Sequence, residues 1–334
     1  MLECQGAKCA LELQSVARVY PGTLPVAPGK NGSCGTREIA EELQGRFGSP
    51  LHLINTGMGM GDHIVSLYAA AAAASTGLPV VFHTRHPRWL ARVSHPGLSV
   101  DGDLSLYNES AIRSGMVIDV NRNYTQQIRY ASSRSRWYAS NVHPKLVPER
   151  PRFIDKSMSV RRIDAPRYAI LAPSGNASNR DWPSVHWQRL ILLLQEQGFE
   201  AVAIGTKAEE EKIAEICSPL AAFWAIDHPA EWIQDAILDA AVVVANDSGI
   251  THLGALLEVP TVGIHAQLSA RFLWNTTNVI GVTPETQCAC CHWRRERGYV
   301  PALCDSVCSA LTTITPDRIM AAINTVVQGG VPHD

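Results

Sequence analysis

The stretch Val242–His265 constrains this chain more than any other. It reads strand, polar loop, helix, turn, strand. Ala240–Ala245 is a short apolar run of the kind buried on both faces of a parallel sheet. Asn246-Asp247-Ser248-Gly249 is a capping and turn cluster, which predicts a helix over Ile250–Leu257. Pro260 ends it, and Thr261–Ile264 begins the next strand. Such a unit aims free backbone N–H groups at the space above the strand ends, where a phosphate is the natural guest. Any well-capped strand–helix–strand unit shares that much. The side chains gathered at the mouth, Asp247, Ser248, Thr251 and His252, go beyond it.

The same alternation runs through the second half of the chain. Strands are predicted at Tyr168–Ala172, Ala201–Ile204, Val242–Ala245 and Thr261–Ile264. Helices are predicted at Val185–Glu196, Glu209–Cys217, Pro229–Ala236 and Ile250–Leu257. This pattern requires a parallel sheet covered on both faces. In the first half, Leu51–Ile54 reads as a strand, followed by the glycine loop Gly57-Met-Gly-Met-Gly-Asp62 and an alanine-rich helix over Ile64–Ser75. Val80–His83 and Gly115–Val120 read as further strands. Arg37–Phe47 has helical spacing, residues 1–36 are turn-rich with a strand possible at Leu11–Val19, and Thr315-Pro316-Asp317 caps a last helix. At 334 residues the chain suits two α/β domains.

The formal net charge of −2 argues against a general nucleic-acid coat. The N-terminus lacks the basic and apolar regions of a secretory signal. The most apolar stretch, Ile64–Phe82, is broken by Ser66, Ser75, Thr76, Gly77 and Pro79. It reads as helix, turn and strand rather than a membrane span. The expected compartment is the cytoplasm, with no stable membrane insertion. Residues 122–167 hold eleven Lys or Arg against three Asp or Glu. This tract reads first as a linker with solvated charges, and second as a cleft edge facing an anionic acceptor. Pro148, Pro151 and Pro166 place the linker between about 148 and 166.

Three segments in order resemble glycosyltransferase family 9, the ADP-heptose heptosyltransferases. They are the Gly-Asp loop Gly57–Asp62, the segment Tyr168–Trp187 with a basic residue just before Trp182-Pro183, and the Asp247-Ser248-Gly249 loop. The resemblance implies a GT-B-like α/β fold: two doubly wound Rossmann-type domains facing a cleft. On that division residues 1–50 are an N-terminal extension, 51–160 the acceptor-side domain, 161–310 the nucleotide-sugar domain, and 311–334 a C-terminal helix that in such proteins often crosses back to the first domain. It implies an inverting, metal-independent transfer of a sugar, foremost a heptose from ADP-heptose, to an acceptor hydroxyl.

Asp62 is then the candidate base, although a plain helix N-cap also favours Asp. Gly57, Gly59 and Gly61 would let a ligand approach the backbone. Arg180 takes the place of a family cation that meets the donor phosphates, with Ser174 and Ser178 as further donors in its loop. The Ser248 and Gly249 N–H groups would hold the diphosphate, Asp247 the sugar hydroxyls, and His252 a phosphate oxygen. Gly205 and Glu209 match family positions, with a first-turn helix acid as the plain reading of Glu209. Trp182 and Trp187 read as packing residues, and Asp101-Gly102-Asp103 as a surface turn. A sugar-nucleotide epimerase of the same fold and a non-catalytic thiolate-finger binding protein are the competing functions. The acceptor, whether oligosaccharide, protein or another polyanion, is not specified.

Five of the nine cysteines lie between Cys288 and Cys308. C-x2-C followed after twelve residues by C-x3-C predicts a tetrahedral thiolate site of Cys288, Cys291, Cys304 and Cys308 within residues 285–310, with Cys290 able to exchange for Cys288 or Cys291 and reduced thiols or a disulfide as the plainer reading. Four filled positions make the metal structural, with zinc or iron suiting the geometry. A similar finger, holding iron, occurs in bacterial autotransporter protein heptosyltransferases.

Overall fold

A computed structural model of the chain describes residues 33–122, 133–153, 156–175, 178–268, 277–286, 289, 291–296 and 308–329. The expected strand at Leu11–Val19 lies outside them. Two parallel sheets organise these residues, ordered β3-β2-β1-β4 and β10-β9-β8-β5-β6-β7.

The first sheet comprises β1 (Leu51–Ile54), β2 (Val80–His83), β3 (Leu98–Asp101) and β4 (Ile118–Asp119). Helix α1 (Ser33–Phe47) leads into β1, and α2 (Met60–Ala74) follows it. An unbroken alanine run lets α2 bury itself almost throughout, because small side chains permit close packing on every side. The expected strand over Gly115–Val120 shrinks to β4, whose two residues pair with Leu53 and Ile54. β3, which the sequence did not announce, forms the edge beside β2. The Asp101–Asp103 turn that ends it closes on itself: Asp101 accepts from Asp103 N, and Asp103 accepts from Ser105.

The second sheet comprises β5 (Tyr168–Ala172), β6 (Glu200–Gly205), β7 (Phe223–Ile226), β8 (Val242–Asn246), β9 (Thr261–Ile264) and β10 (Val279–Val282). Its strands alternate faces as a pleat dictates. Ala169, Leu171, Val242 and Val244 point to one core, with Trp182, Trp187 and Leu190. Ile170, Val243 and Ala245 point to the other, which runs on into the first domain through Ile64, Leu67 and Tyr138. Trp182 and Trp187 are fully buried and meet edge to face, with centroids 5.1 Å apart.

Two expectations need correction. The last helix, α11 (Pro316–Val327), is capped by Thr315 as its sequence announces. It does not return to the first domain: Ile319, Met320, Ile323 and Val326 pack into the core of the second sheet. The basic tract is not simply a solvated linker either. It contains helix α5 (Arg134–Val142), capped by the Ser133 side chain and packed against α2. Arg162 donates twice to Asp235 Oδ2, at 2.9 and 2.7 Å. Asp235 lies on α8 (Ala230–Asp239), and its Oδ1 accepts from Arg92 of the first domain at 2.6 Å. Beside this buried pair Gln234 donates to the Trp89 carbonyl at 2.8 Å. None of the described helices is long and apolar enough to cross a membrane.

Candidate active site

In each sheet the chain reverses its winding beside the first strand, between β1 and β4 and between β5 and β8. Loops leaving such neighbours diverge and open a crevice at the strand ends. The two crevices face one another and enclose a cavity of about 480 Å³. Gly59, Gly61, Asp62, Ser174, Arg180, Gly205, Glu209, Asp247, Ser248, Gly249 and His252 all line it. Of the expected site residues, Gly57 lies behind this lining, and the Ser178 side chain falls outside the described residues.

On the first-domain side, helix α2 begins one turn earlier than its apolar spacing suggests, with Gly59 as N-cap. Asp62 is therefore not the cap. Its Oδ1 accepts from Arg134 Nη1 at 2.7 Å and lies 3.3 Å from the Tyr138 hydroxyl. The same hydroxyl reaches Asn121 Oδ1 at 3.2 Å, in the loop after β4. Arg134 and Tyr138, four apart on α5, present one helical face to the carboxylate. The glycine loop is fixed from behind. Asn55 Oδ1 accepts from Gly57 N at 2.7 Å, and the Gly57 and Met58 carbonyls accept from His63 and His86 at 2.9 and 3.0 Å. The carbonyl partner assigns the proton of His63 to Nε2, leaving Nδ1 to accept from Thr84 at 2.9 Å. Burial lowers the His63 pKa to about 4, against the Gly57 carbonyl that favours its charge.

Two of the loop glycines are closely packed. A Cβ on Gly61 would sit 2.4 Å from His252 Cδ2, and one on Gly57 would sit 2.8 Å from Asn55 Oδ1. At these two glycines the missing side chain admits protein atoms, while Gly59 and Gly61 also line the cavity. Across the cleft Gly249 is equally crowded, by Met60 Cε at 2.3 Å. These contacts let α2 and α9 (Gly249–Leu256) meet closely.

On the second-domain side, Ser248 is the N-cap of α9, with extended backbone and no side-chain capping bond. Ser248 Oγ and Arg180 Nε are buried and make no hydrogen bond among the described residues. Arg180 Nη1 stands 4.0 Å from Asp247 Oδ2, and His265 Nδ1 stands 3.5 Å from Asp247 Oδ1. Burial opposes the charge on Asp247, but His265, Arg180 and His252 outweigh it and hold the carboxyl well below the usual range. His252 is lowered to about 4 by burial and then by Arg134, so its ring is neutral at pH 7. Glu209 closes a capping box, accepting from Thr206 N at 2.7 Å and from its hydroxyl at 2.9 Å. Its helix-start reading therefore accounts for the carboxylate that its family position singled out. A Cβ on Gly205 would meet Ile213 and that same carboxylate.

A family model described as glycosyltransferase family 9 (heptosyltransferase) matches residues 125–297. The chain belongs to this family. Membership leaves the epimerase and binding-protein readings without support. Lipopolysaccharide heptosyltransferase 1 of Escherichia coli (strain K12) is 28% identical over 104 residues, covering 30% of this chain and 33% of its own length. The chain thus spans about a third of the length of the curated heptosyltransferases it matches. E. coli heptosyltransferase WaaC with ADP superposes with a TM-score of 0.57 at 15% identity, covering 82% of this chain and 99% of that one. The iron-containing dodecameric glycosyltransferase TibC from enterotoxigenic E. coli H10407 superposes with a TM-score of 0.61 at 13% identity, covering 84% and 76%. These likenesses show the fold, two parallel-sheet domains of the GT-B kind.

Arg134, Tyr138, Asn121 and His265 were not singled out by sequence. Cys288 and Cys304 lie outside the described residues, whereas Cys291 and Cys308 are half-buried thiols. Among the described residues no group of three or more His, Cys, Asp or Glu is placed to hold a metal.

Proposed function

We propose that this chain is a heptosyltransferase-type glycosyltransferase, moving a sugar from a nucleotide-diphosphate donor, foremost ADP-heptose, to an acceptor hydroxyl. One observation carries the reading. A carboxylate at the opening of α2 faces, across one cavity, a helix N-terminus, an arginine and two buried polar atoms that lack hydrogen bonds among the described residues. Charge and donors suited to a leaving diphosphate thus stand opposite a group suited to take a proton. Two structural neighbours support ADP-heptose as the donor: WaaC has been solved with ADP, and TibC with ADP-D-β-D-heptose.

In this reading Asp62 accepts the proton of the acceptor hydroxyl as its oxygen attacks the anomeric carbon. The bond from that carbon to the diphosphate breaks, and ADP departs with the electron pair. Attack opposite the leaving group inverts the anomeric centre. The growing charge is met by Arg180, by the Ser248 hydroxyl and by the backbone N–H groups at the start of α9. Neutral His252 donates to a phosphate oxygen. Asp247, kept ionised by His265 and Arg180, accepts from sugar hydroxyls. None of these steps calls for a metal. The proposed division is an acceptor-side domain over 51–160 and a donor domain over 161–310, working in the cytoplasm.

The cysteine spacing supports one structural ion, zinc or iron, on Cys288, Cys291, Cys304 and Cys308. Elemental analysis of fresh, reduced protein should give one ion per chain, and substoichiometric zinc and iron would refute the site. The donor is tested by mass spectrometry after incubation with a panel of sugar nucleotides. ADP released from ADP-heptose supports the reading. Turnover of a different sugar nucleotide alone would reassign the donor.

A further inference from the structure

Two carboxylate–guanidinium pairs face one another across the cavity, one from each domain. Arg134 donates to Asp62 at 2.7 Å, and Arg180 stands 4.0 Å from Asp247. All four side chains line the same space, and His252 reaches between the pairs to the position of Gly61. Each arginine is thus partnered by a carboxylate of its own domain. A diphosphate presents oxygens that match the guanidinium fork and carries more charge than one carboxylate.

We propose that Arg134 is a shared cation: it holds Asp62 in the unliganded cavity, and it turns to the diphosphate when the donor enters, releasing Asp62 to receive the acceptor's proton. The inference rests on the donor reading above and deepens it. Arg134 suits this part because it sits in the first turn of α5, is nearly buried with its side chain 9% exposed, and points into the cavity. Its charge is felt at His252, which it helps to keep neutral. Tyr138, one turn further along α5, stays beside Asp62 Oδ1, so the carboxylate remains oriented after Arg134 leaves. Partner exchange also orders the substrates. Donor entry frees the base, so the donor binds first and the acceptor second.

The test is ADP binding by calorimetry on the full chain. Asp62→Asn removes the competitor for Arg134 and should tighten ADP binding by roughly threefold or more, whereas Arg134→Gln should weaken it by about tenfold or more, the loss of one charged hydrogen bond. Arg134→Lys should recover part of that affinity. The double variant should bind no more tightly than Arg134→Gln alone. With a merely structural Arg134, Asp62→Asn would tighten binding as much without the arginine as with it, so the double variant would bind more tightly than Arg134→Gln alone. Affinity that is unchanged or weaker in a folded Asp62→Asn protein overturns the proposal, whatever becomes of Arg134→Gln. Absence of any ADP binding by the unmodified chain would overturn the donor reading and this inference with it.

Discussion

Replacing Gly61 with alanine sets two effects against one another. Gly61 lies in the first turn of α2, where alanine favours the helix by up to about 1 kcal/mol. The added methyl would lie 2.4 Å from His252 Cδ2 and 3.0 Å from its Nε2. Carbon atoms rest at about 3.5–4.0 Å, so ring and methyl must part by about 1 Å. His252 is itself buried, so its ring cannot move without disturbing the groups around it. The displacement therefore falls on the contact between α2 and α9, which joins the two domains. Overpacking of this kind costs about 1–3 kcal/mol, so even after the full helix gain the net loss reaches about 2 kcal/mol. Gly45→Ala is the control: on the exposed face of α1, nothing lies within 4 Å of its methyl position. It should be neutral or slightly stabilising. Urea unfolding of the two variants beside the parent measures the difference. Gly61→Ala should also bind ADP more weakly, since it displaces His252, which donates to a phosphate oxygen in the proposed site. A Gly61→Ala protein as stable as Gly45→Ala would refute the claim that this glycine exists to admit His252.

Arg180→Ala should weaken ADP binding by about 1.5–3 kcal/mol, and calorimetry showing unchanged affinity would exclude it from the donor site. Asp235→Ala strands Arg92 and Arg162 and should cost about 3 kcal/mol, the low end for a broken buried pair because both guanidiniums keep some water; a loss within error of zero in chemical unfolding would contradict it. His63 and His252 both have folded values of about 4, below the ordinary 6.5. The unfolded chain therefore takes up protons first as the pH falls, so stability drops between about pH 6.5 and 4, by up to about 1.4 kcal/mol per unit for each ring. Unfolding free energies at pH 7 and pH 5 check this, and equal values would sink it.

What the sequence disclosed follows from how each element is buried. β5, β8 and β9 lie inside the second sheet and are buried throughout, so their apolar runs are unmistakable. β3, β7 and β10 are sheet edges with partly exposed faces: β3 alternates apolar and polar residues, whereas β7 and β10 are four-residue apolar runs too short to stand out from the helices and loops around them. Helix α5 was lost in a tract whose positive charge suggested solvent, although Ser133 is a ready N-cap and Trp137 and Tyr138 supply an apolar side. The loops that build the site announced themselves through glycine, Asp62, Arg180 and Asp247-Ser248-Gly249. Their partners did not. Arg134 lies 72 positions from Asp62, and no local pattern encodes such a pairing. His265 stood at the end of the most informative segment, yet its contact with Asp247 requires β8 and β9 to lie side by side.

Sugar transfer dependent on Asp62 is the claim on which the rest depends. ADP release from ADP-heptose in the presence of acceptor, measured for the parent chain beside Asp62→Asn, tests it most directly. The expected result is turnover by the parent and a rate lower by roughly 10²-fold or more for the variant, with its fold kept and ADP bound at least as tightly. Near-normal turnover by Asp62→Asn would contradict the account.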